Sequence, residues 1–460
     1  MTTPHLLDFP ATRPYQSYVY AYPHKTAYRP LPDRPELRTL WAAEPKGALS
    51  LYLHLPFCEV RCGFCNLFTR IGAPGDLTTR YLDALERQAT AVRDALGAHG
   101  LGEHGGAMPV RFASAAFGGG TPTYLEAAEL ERLCDIAERR MGADLRAIPL
   151  SVEASPTTAT ADRLAVLAER GTTRLSLGVQ SFIDAEARAA VRPQRRAEVE
   201  AALGRVRDAR IPVLNIDLIY GIDGQTEDSW RTSLDAALAW QPEELYLYPL
   251  YVRPLTGLGR HRHGSALSDQ DWDEQRLRLY RQGRDHLLAR GYVQVSMRMF
   301  RRADASPQGA DDYACQTDGM IGLGCGARSY TSALHYSFDY AVEPREIRTI
   351  IDEYAATEDF TRAVHGRRVD GWEARRRHLL QSLLQADGMP LAEYRTRFGS
   401  DPSDDFPAEL ADFADRGWLE HLSSPEVLRL TPEGLAHSDA IGPELFSAEV
   451  RAAMAAYELK

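Results

Sequence analysis

The sequence predicts an α/β fold: a partial (β/α)6 TIM-like barrel followed by an α+β winged-helix-like domain. The first observation behind this is an alternation. Six short apolar runs, SLYLHLP (50–56), FASAAFGGG (112–120), LSVEASP (150–156), RLSLGVQSF (174–182), VLNIDLIYG (213–221) and ELYLYPLYV (244–252), are separated by segments of helical period. Each run is rich in Leu, Ile, Val or Tyr and stops at Gly, Pro or a polar residue, as strands do. The second is the placing of unusual residues at the ends of these runs, where a parallel barrel gathers its working groups. Cysteines follow the first run and GGGTPT ends the second, Glu153, Gln180 and Asp217 fall in the third to fifth, and YPLYVRP closes the sixth. The third is a change of pattern near residue 370, from βα alternation to clustered helices with a short apolar pair.

Taken in order, 77–96 places Leu77, Tyr81, Leu85, Val92 and Leu96 near one helical face, with charged residues between them. Segments 124–141, 158–171, 195–210 and 226–240 have the same period, which implies right-handed crossovers between parallel strands. Beyond the sixth run, 269–290 predicts a long surface helix, 292–300 a further strand, and GMIGLGCGARSY (319–330) a glycine-rich loop where backbone approaches a ligand. After 370 come helix, turn, helix, the acidic linker GSDPSDD, helix, and WLEHL–SSPE–VLRL as a two-stranded wing. The expected division is an N-terminal extension covering the site (1–46), the barrel (47–300), a connecting segment with the glycine-rich loop (301–368) and the winged-helix-like domain (369–460).

Composition narrows the function classes. Hydrophobic residues at 44% and charged residues at 25% are ordinary for a globular protein of 460 residues. A net charge of −11 argues against a surface built for nucleic acid. The start of the chain has neither a signal-peptide pattern nor a run long enough to span a bilayer, so a cytoplasmic protein without membrane contact is expected. The six cysteines do not read as a disulfide framework, because Cys134, Cys315 and Cys325 lie far from Cys58, Cys62 and Cys65.

Those last three, spaced CxxxCxxC, point to metal. Three thiolates on one loop can hold three irons of a four-iron cluster and leave the fourth iron open to a small molecule. A structural zinc site needs a fourth ligand. The nearest candidate, His54, sits on the preceding strand and is expected to face away from the loop. Cysteines packed as small hydrophobes fit poorly with a loop reading CGFC. The GGG before TP lacks both the Lys-Ser/Thr of a P-loop and the spacing of a dinucleotide fingerprint.

YLHLPFCEVRCGFCN resembles the opening motif of radical S-adenosylmethionine (SAM) enzymes. The flanking residues, with FGGGTPTYL, VEASP, GVQSF, DLIYGIDGQT and GLGCGARSY in order, resemble the oxygen-independent coproporphyrinogen III oxidase group. The resemblance implies that Cys58, Cys62 and Cys65 hold a [4Fe-4S] cluster whose open iron binds SAM. It implies that Tyr52 and the Phe64 backbone contact SAM, that Gly119, Gly120 and Thr121 bind its methionyl end, and that Glu153, Gln180, Arg192 and Asp217 complete the SAM sites. A second SAM, a small-molecule substrate and a flavodoxin- or ferredoxin-type electron donor follow from the same resemblance. So do three functions: hydrogen abstraction by a 5′-deoxyadenosyl radical with methyl or methylene transfer, oxidative decarboxylation of a porphyrinogen, or haem handling without oxidation. For haem, His261, His263 and Cys325 are undistinguished axial candidates. One departure is legible: Asn66-Leu67-Phe68 lacks the extra cysteine that the oxidases carry after the third ligand. The tyrosine-rich YQSYVYAYPHKTAYRPL (15–31) marks a subgroup of its own.

Overall fold

The computed structural model describes residues 13–97, 110–261, 268–305, 315–420, 426–458 and 460. All six apolar runs are strands: β1 (Leu49–Leu55), β2 (Phe112–Gly119), β3 (Leu150–Ala154), β4 (Arg174–Gln180), β5 (Val213–Tyr220) and β6 (Glu244–Pro249). They pair in parallel in that order. Between them run α1 (Leu77–Ala95), α2 (Ala127–Asp135), α3 (Ala161–Glu169), α4 (Arg196–Asp208) and α5 (Glu227–Leu238). Helix α1 buries Leu77, Tyr81, Leu85 and Val92, the face its period foretells. Helix α5 starts where the Thr226 hydroxyl accepts from the Ser229 N–H. The result is a TIM-like α/β fold with a mixed sheet and a C-terminal domain.

Strands covered on both faces read as continuous apolar runs. In β1 and β5 the single residues that escape full burial are Tyr52 and Asp217. Both open into the cavity described below.

The structure differs from expectation in elements that follow β6. The stretch 292–300 is not one strand but the hairpin β7 (Tyr292–Gln294) and β8 (Met299–Arg302), because the Ser296 hydroxyl accepts from the N–H groups of Arg298 and Met299 and turns the chain. Helix α6 (Asp269–Leu288) is the expected surface helix, with Asp269, Glu274, Arg278 and Asp285 exposed and one face turned inward. It buries Trp272, Arg276 and Tyr280, and the Trp272 indole donates to the Gly221 carbonyl at 3.0 Å.

The glycine-rich loop is instead β9 (Met320–Leu323) and β10 (Arg328–Tyr330) joined by a tight turn. Strand β9 runs parallel to β1, so the parallel set has seven members. Glycine at 322 serves the strand pair: a Cβ there would stand 2.2 Å from the Arg328 carbonyl oxygen. Strands β11 (Leu334–Ser337) and β12 (His365–Arg368) continue the sheet, so the expected connecting segment contributes strands to it. Among the described residues the order is Arg29–Pro30, β12, β11, β10, β9, β1, β2, β3, β4, β5, β6, β8, β7.

The C-terminal region holds α7 (Gly371–Leu383), α8 (Leu391–Phe398) and α9 (Pro407–Asp415), with Met389–Pro390 paired to Val427–Leu428 as a short wing. The expected wing of WLEHL against VLRL is reduced, among the described residues, to the single bridge Leu419–Leu430, and 421–425 lie outside the described residues. The expected acidic linker is a short helix, Pro402–Asp405, because Asp401 caps it and Tyr394 and Ser400 donate to Asp405. Leu379, Leu383, Tyr394, Phe413 and Ile441 form a separate core that also takes in Tyr22. Among the described residues no helix is long and apolar enough to cross a membrane.

Candidate active site

A cavity of about 660 Å³ opens at the carboxyl ends of the parallel strands. That is within the range of small-ligand and cofactor sites. All twelve residues that the resemblance assigns to the cluster and SAM line it: Tyr52, Cys58, Cys62, Phe64, Cys65, Gly119, Gly120, Thr121, Glu153, Gln180, Arg192 and Asp217.

The cysteine loop is held from two sides. Cys65 N–H bonds to the Cys62 carbonyl, which closes a tight turn, and Gly63 N–H bonds to the Ala190 carbonyl at 3.1 Å. Gly63 has to be glycine: a Cβ would sit 2.8 Å from the Val191 side chain and 3.0 Å from the Ala190 oxygen. This contact carries Arg192 to the loop, where its Nη1 donates to Cys62 Sγ at 3.1 Å. Cys58 Sγ lies 3.4 Å from Thr121 Oγ1. Burial pushes the Cys58 thiol up to about 12 and raises that of Cys65. Thiolates there need a cation, and metal binding supplies it while releasing protons.

Cysteine, histidine and carboxylate side chains are the candidate metal ligands of the site. Among the described residues no three such side chains converge as ligands of one ion would. A cluster takes one thiolate per iron and so suits cysteines spread around a cavity. His54 does line the cavity, but its Nδ1 lies 3.2 Å from Tyr52 Oη and its Nε2 3.4 Å from the Phe68 carbonyl. Burial lowers its pKa to about 4. Both nitrogens are engaged away from the thiols, so His54 is not placed as a fourth ligand beside them.

The end of β2 passes close beneath the loop. Gly120 N–H bonds to the Leu55 carbonyl, and a Cβ at Gly120 would lie 2.5 Å from the Phe57 oxygen and 3.0 Å from Cys58 Sγ. Gly119 has φ +118°, which side-chain-bearing residues rarely adopt, and its N–H donates to Glu153 Oε2 at 3.0 Å.

Glu153 and Asp217 present carboxylates from β3 and β5. Asp217 accepts from Asn215 Nδ2 at 2.8 Å and Ser176 Oγ at 3.1 Å. Burial, opposed by the Gly119 N–H and aided by Asp217, pushes Glu153 up to about 7. Burial likewise raises Asp217. Glu153 is enclosed by protein yet accessible to solvent, because its surface faces the cavity. Such carboxylates can accept from hydroxyl or ammonium groups of a ligand. Gln180 sits at a bulge of the β4–β5 ladder with φ +71°, a strained conformation at a ligand-facing position.

Sequence reasoning named the YPLYVRP stretch that supplies Tyr248 and Tyr251 but missed three lining residues: Tyr20 and Lys25 in the tyrosine-rich segment, and Arg328. Arginine directly after GLGCGA was the available signal for the last. Cys325 is fully buried, 3.8 Å from the Tyr81 hydroxyl, and neither it nor Cys315 lines the cavity. The side chain of His261 and all of His263 lie outside the described residues.

Residues 52–237 match the radical SAM superfamily. The chain therefore carries a radical SAM domain. A second match, to the HemN C-terminal domain, covers residues 369–437. The radical SAM domain is therefore served by a [4Fe-4S] cluster and SAM, and the residues above fit both. The chain is 26% identical to the heme chaperone HemW of Bacillus subtilis (strain 168), over 87% of this chain and 98% of that protein. It is 34% identical to the oxygen-independent coproporphyrinogen III oxidase of Paracoccus denitrificans (strain Pd 1222), over 61% of this chain but only 60% of that protein. The fold matches coproporphyrinogen III oxidase (HemN) from Escherichia coli with TM-score 0.75 at 23% identity, covering 96% of this chain and 98% of that one. It is thus a radical SAM enzyme of the group that contains both kinds of relative.

Proposed function

We propose that this enzyme binds SAM against a cluster held by Cys58, Cys62 and Cys65 and uses it to abstract hydrogen from a small molecule. The observation that carries this is the convergence of all twelve residues on one cavity. When bound and fed by an external one-electron donor, the cofactor pair supplies a 5′-deoxyadenosyl radical. The chain's own residues bind, orient and enclose. Thr121 fixes Cys58, and Arg192 places a cation at Cys62. Gly119 and Gly120 leave room for the methionyl end, and Gln180 and Asp217 meet the nucleoside. Glu153, titrating near neutrality, holds or gives up a proton beside the ligand. The tyrosine-rich segment covers the opening and excludes water.

Anaerobically reconstituted protein with reductant and SAM should release 5′-deoxyadenosine, whereas Cys62→Ala should release none. A wild-type protein that retains its cluster yet cleaves no SAM overturns the reading. S-adenosylhomocysteine among the products would show methyl transfer and a second SAM. Carbon dioxide from a porphyrinogen would restore the decarboxylase reading, which Asn66-Leu67-Phe68 disfavours.

A second reading, haem handling, is favoured by the similarity to the heme chaperone HemW across 98% of that protein. Stoichiometric haem binding without SAM turnover would establish it.

A further inference from the structure

The tyrosine-rich segment brings Lys25 into the cavity, and the β9–β10 turn brings Arg328. A buried cation ordinarily finds a carboxylate. Here the groups that most favour charge on Lys25 are the phenols of Tyr20 and Tyr340, and those acting on Arg328 are Tyr20, Tyr330, Tyr28 and Tyr52. The Lys25 ammonium stands 3.7 Å from the centre of the Tyr340 ring, and the Arg328 guanidinium 4.7 Å from that of Tyr20. Arg328 Nη1 is buried without a hydrogen-bond partner.

Two neighbours register this excess of positive charge. Burial, then the charges of Lys25, Arg328 and Arg253, hold His24 neutral, well below its ordinary range. Burial raises the Tyr20 phenol, but Arg328 and Lys25 overcome it and the net shift is downward. Tyr20 keeps 39% of its surface accessible although it lies deep in the molecule, because that surface opens into the cavity. Of the carboxylates that line the cavity, Glu153 is on β3 and Asp217 on β5. Tyr52, on β1, is raised by burial first and then by Glu153, while Arg328 lowers it. Strands β1 and β2 separate β9 from β3 in the sheet.

We propose that Lys25 and Arg328, meeting at Tyr20, seat an oxyanion of the substrate, a carboxylate or phosphate group, on the β9 side of Tyr52. A lysine point charge and an arginine fork are the pair that recognises such groups. The enzyme would thus select an anionic small molecule and turn away its neutral analogues. The inference rests on reading this cavity as the substrate chamber, but its test does not need turnover.

Cluster-loaded full-length protein is titrated calorimetrically with inorganic phosphate and with succinate at fixed ionic strength, with and without saturating SAM. Saturable binding of one of them that survives SAM is expected, and the preferred probe identifies the oxyanion. Lys25→Met and Arg328→Met should each weaken it about tenfold or more, and Arg328→Lys far less. If a methionine variant fails to fold by circular dichroism, Lys25→Gln takes its place under the same criterion. No saturable binding of either anion by wild type, or equal binding by the variants, overturns the proposal. Competition with SAM would assign the seat to the SAM carboxylate and also overturn it. SAM cleavage is scored separately: its absence beside intact anion binding sinks the radical reading alone, and its presence without anion binding sinks the seat alone.

Discussion

Glu153 shows how a single side chain couples the cavity to pH. In the fold it holds its proton up to about pH 7, and ordinarily only to 4.5. The native state therefore binds more protons between those values, and stability falls as pH rises through that window. Glu153→Gln should flatten the dependence of the melting temperature on pH between 4.5 and about 7 and raise stability on the alkaline side. The effect is moderated by the solvent access of the side chain. Because burial raises Asp217 too, some slope should survive. An unchanged slope in scanning calorimetry of Glu153→Gln would refute the assignment. Glu153, Gln180 and Asp217 were legible in the sequence because strands covered on both faces make a lone polar residue conspicuous. Lys25 and Arg328 were not, since a cation in a segment without period carries no sign of burial until tertiary closure provides it.

At the scale of elements, β9 is the instructive case. Its glycines read as a loop, because the usual strand signal is β-branched and aromatic residues. Gly322 is there for a different reason, to let β10 lie against β9. Pairing of β9 with β1 joins residues 320–323 to 50–53, a partnership no local pattern announces. Helix α6 was legible as a surface helix, but its buried Arg276 was not, since arginine reads as surface while this guanidinium lies 3.5 Å from the centre of the Trp272 ring. Gly322→Ala should push β10 away from β9 and cost about 1–3 kcal/mol. Urea denaturation measures this, and a loss below about 0.5 kcal/mol would show that the pair tolerates the methyl group.

At the scale of the molecule, the C-terminal region is tied to the cavity wall by charge. Asp439, 1% exposed, pairs with Arg298, 4% exposed, and accepts from the Tyr251 hydroxyl at 2.5 Å. Its carbonyl accepts from the Ser17 N–H, so one residue joins the C-terminal helices, the N-terminal segment and the chain beyond β6. Asp439→Ala strands a buried cation and should cost about 3–5 kcal/mol. Asp439→Leu combined with Arg298→Met should recover much of it. Thermal unfolding of the three proteins checks this: a double variant no better than the single would mean the pair contributes net stability of its own.

The late arrival of β9 also bears on how the protein is made. The cysteine loop follows β1 directly, yet the free edge of β1 is capped only once residues 320–323 have left the ribosome. At ordinary elongation rates that is a delay of roughly 15–55 s. For that interval an apolar strand edge and three thiols are exposed together, to wrong pairing and to oxygen. Slower translation of residues 56–320 should lengthen this exposure and lower the share of chains that load iron.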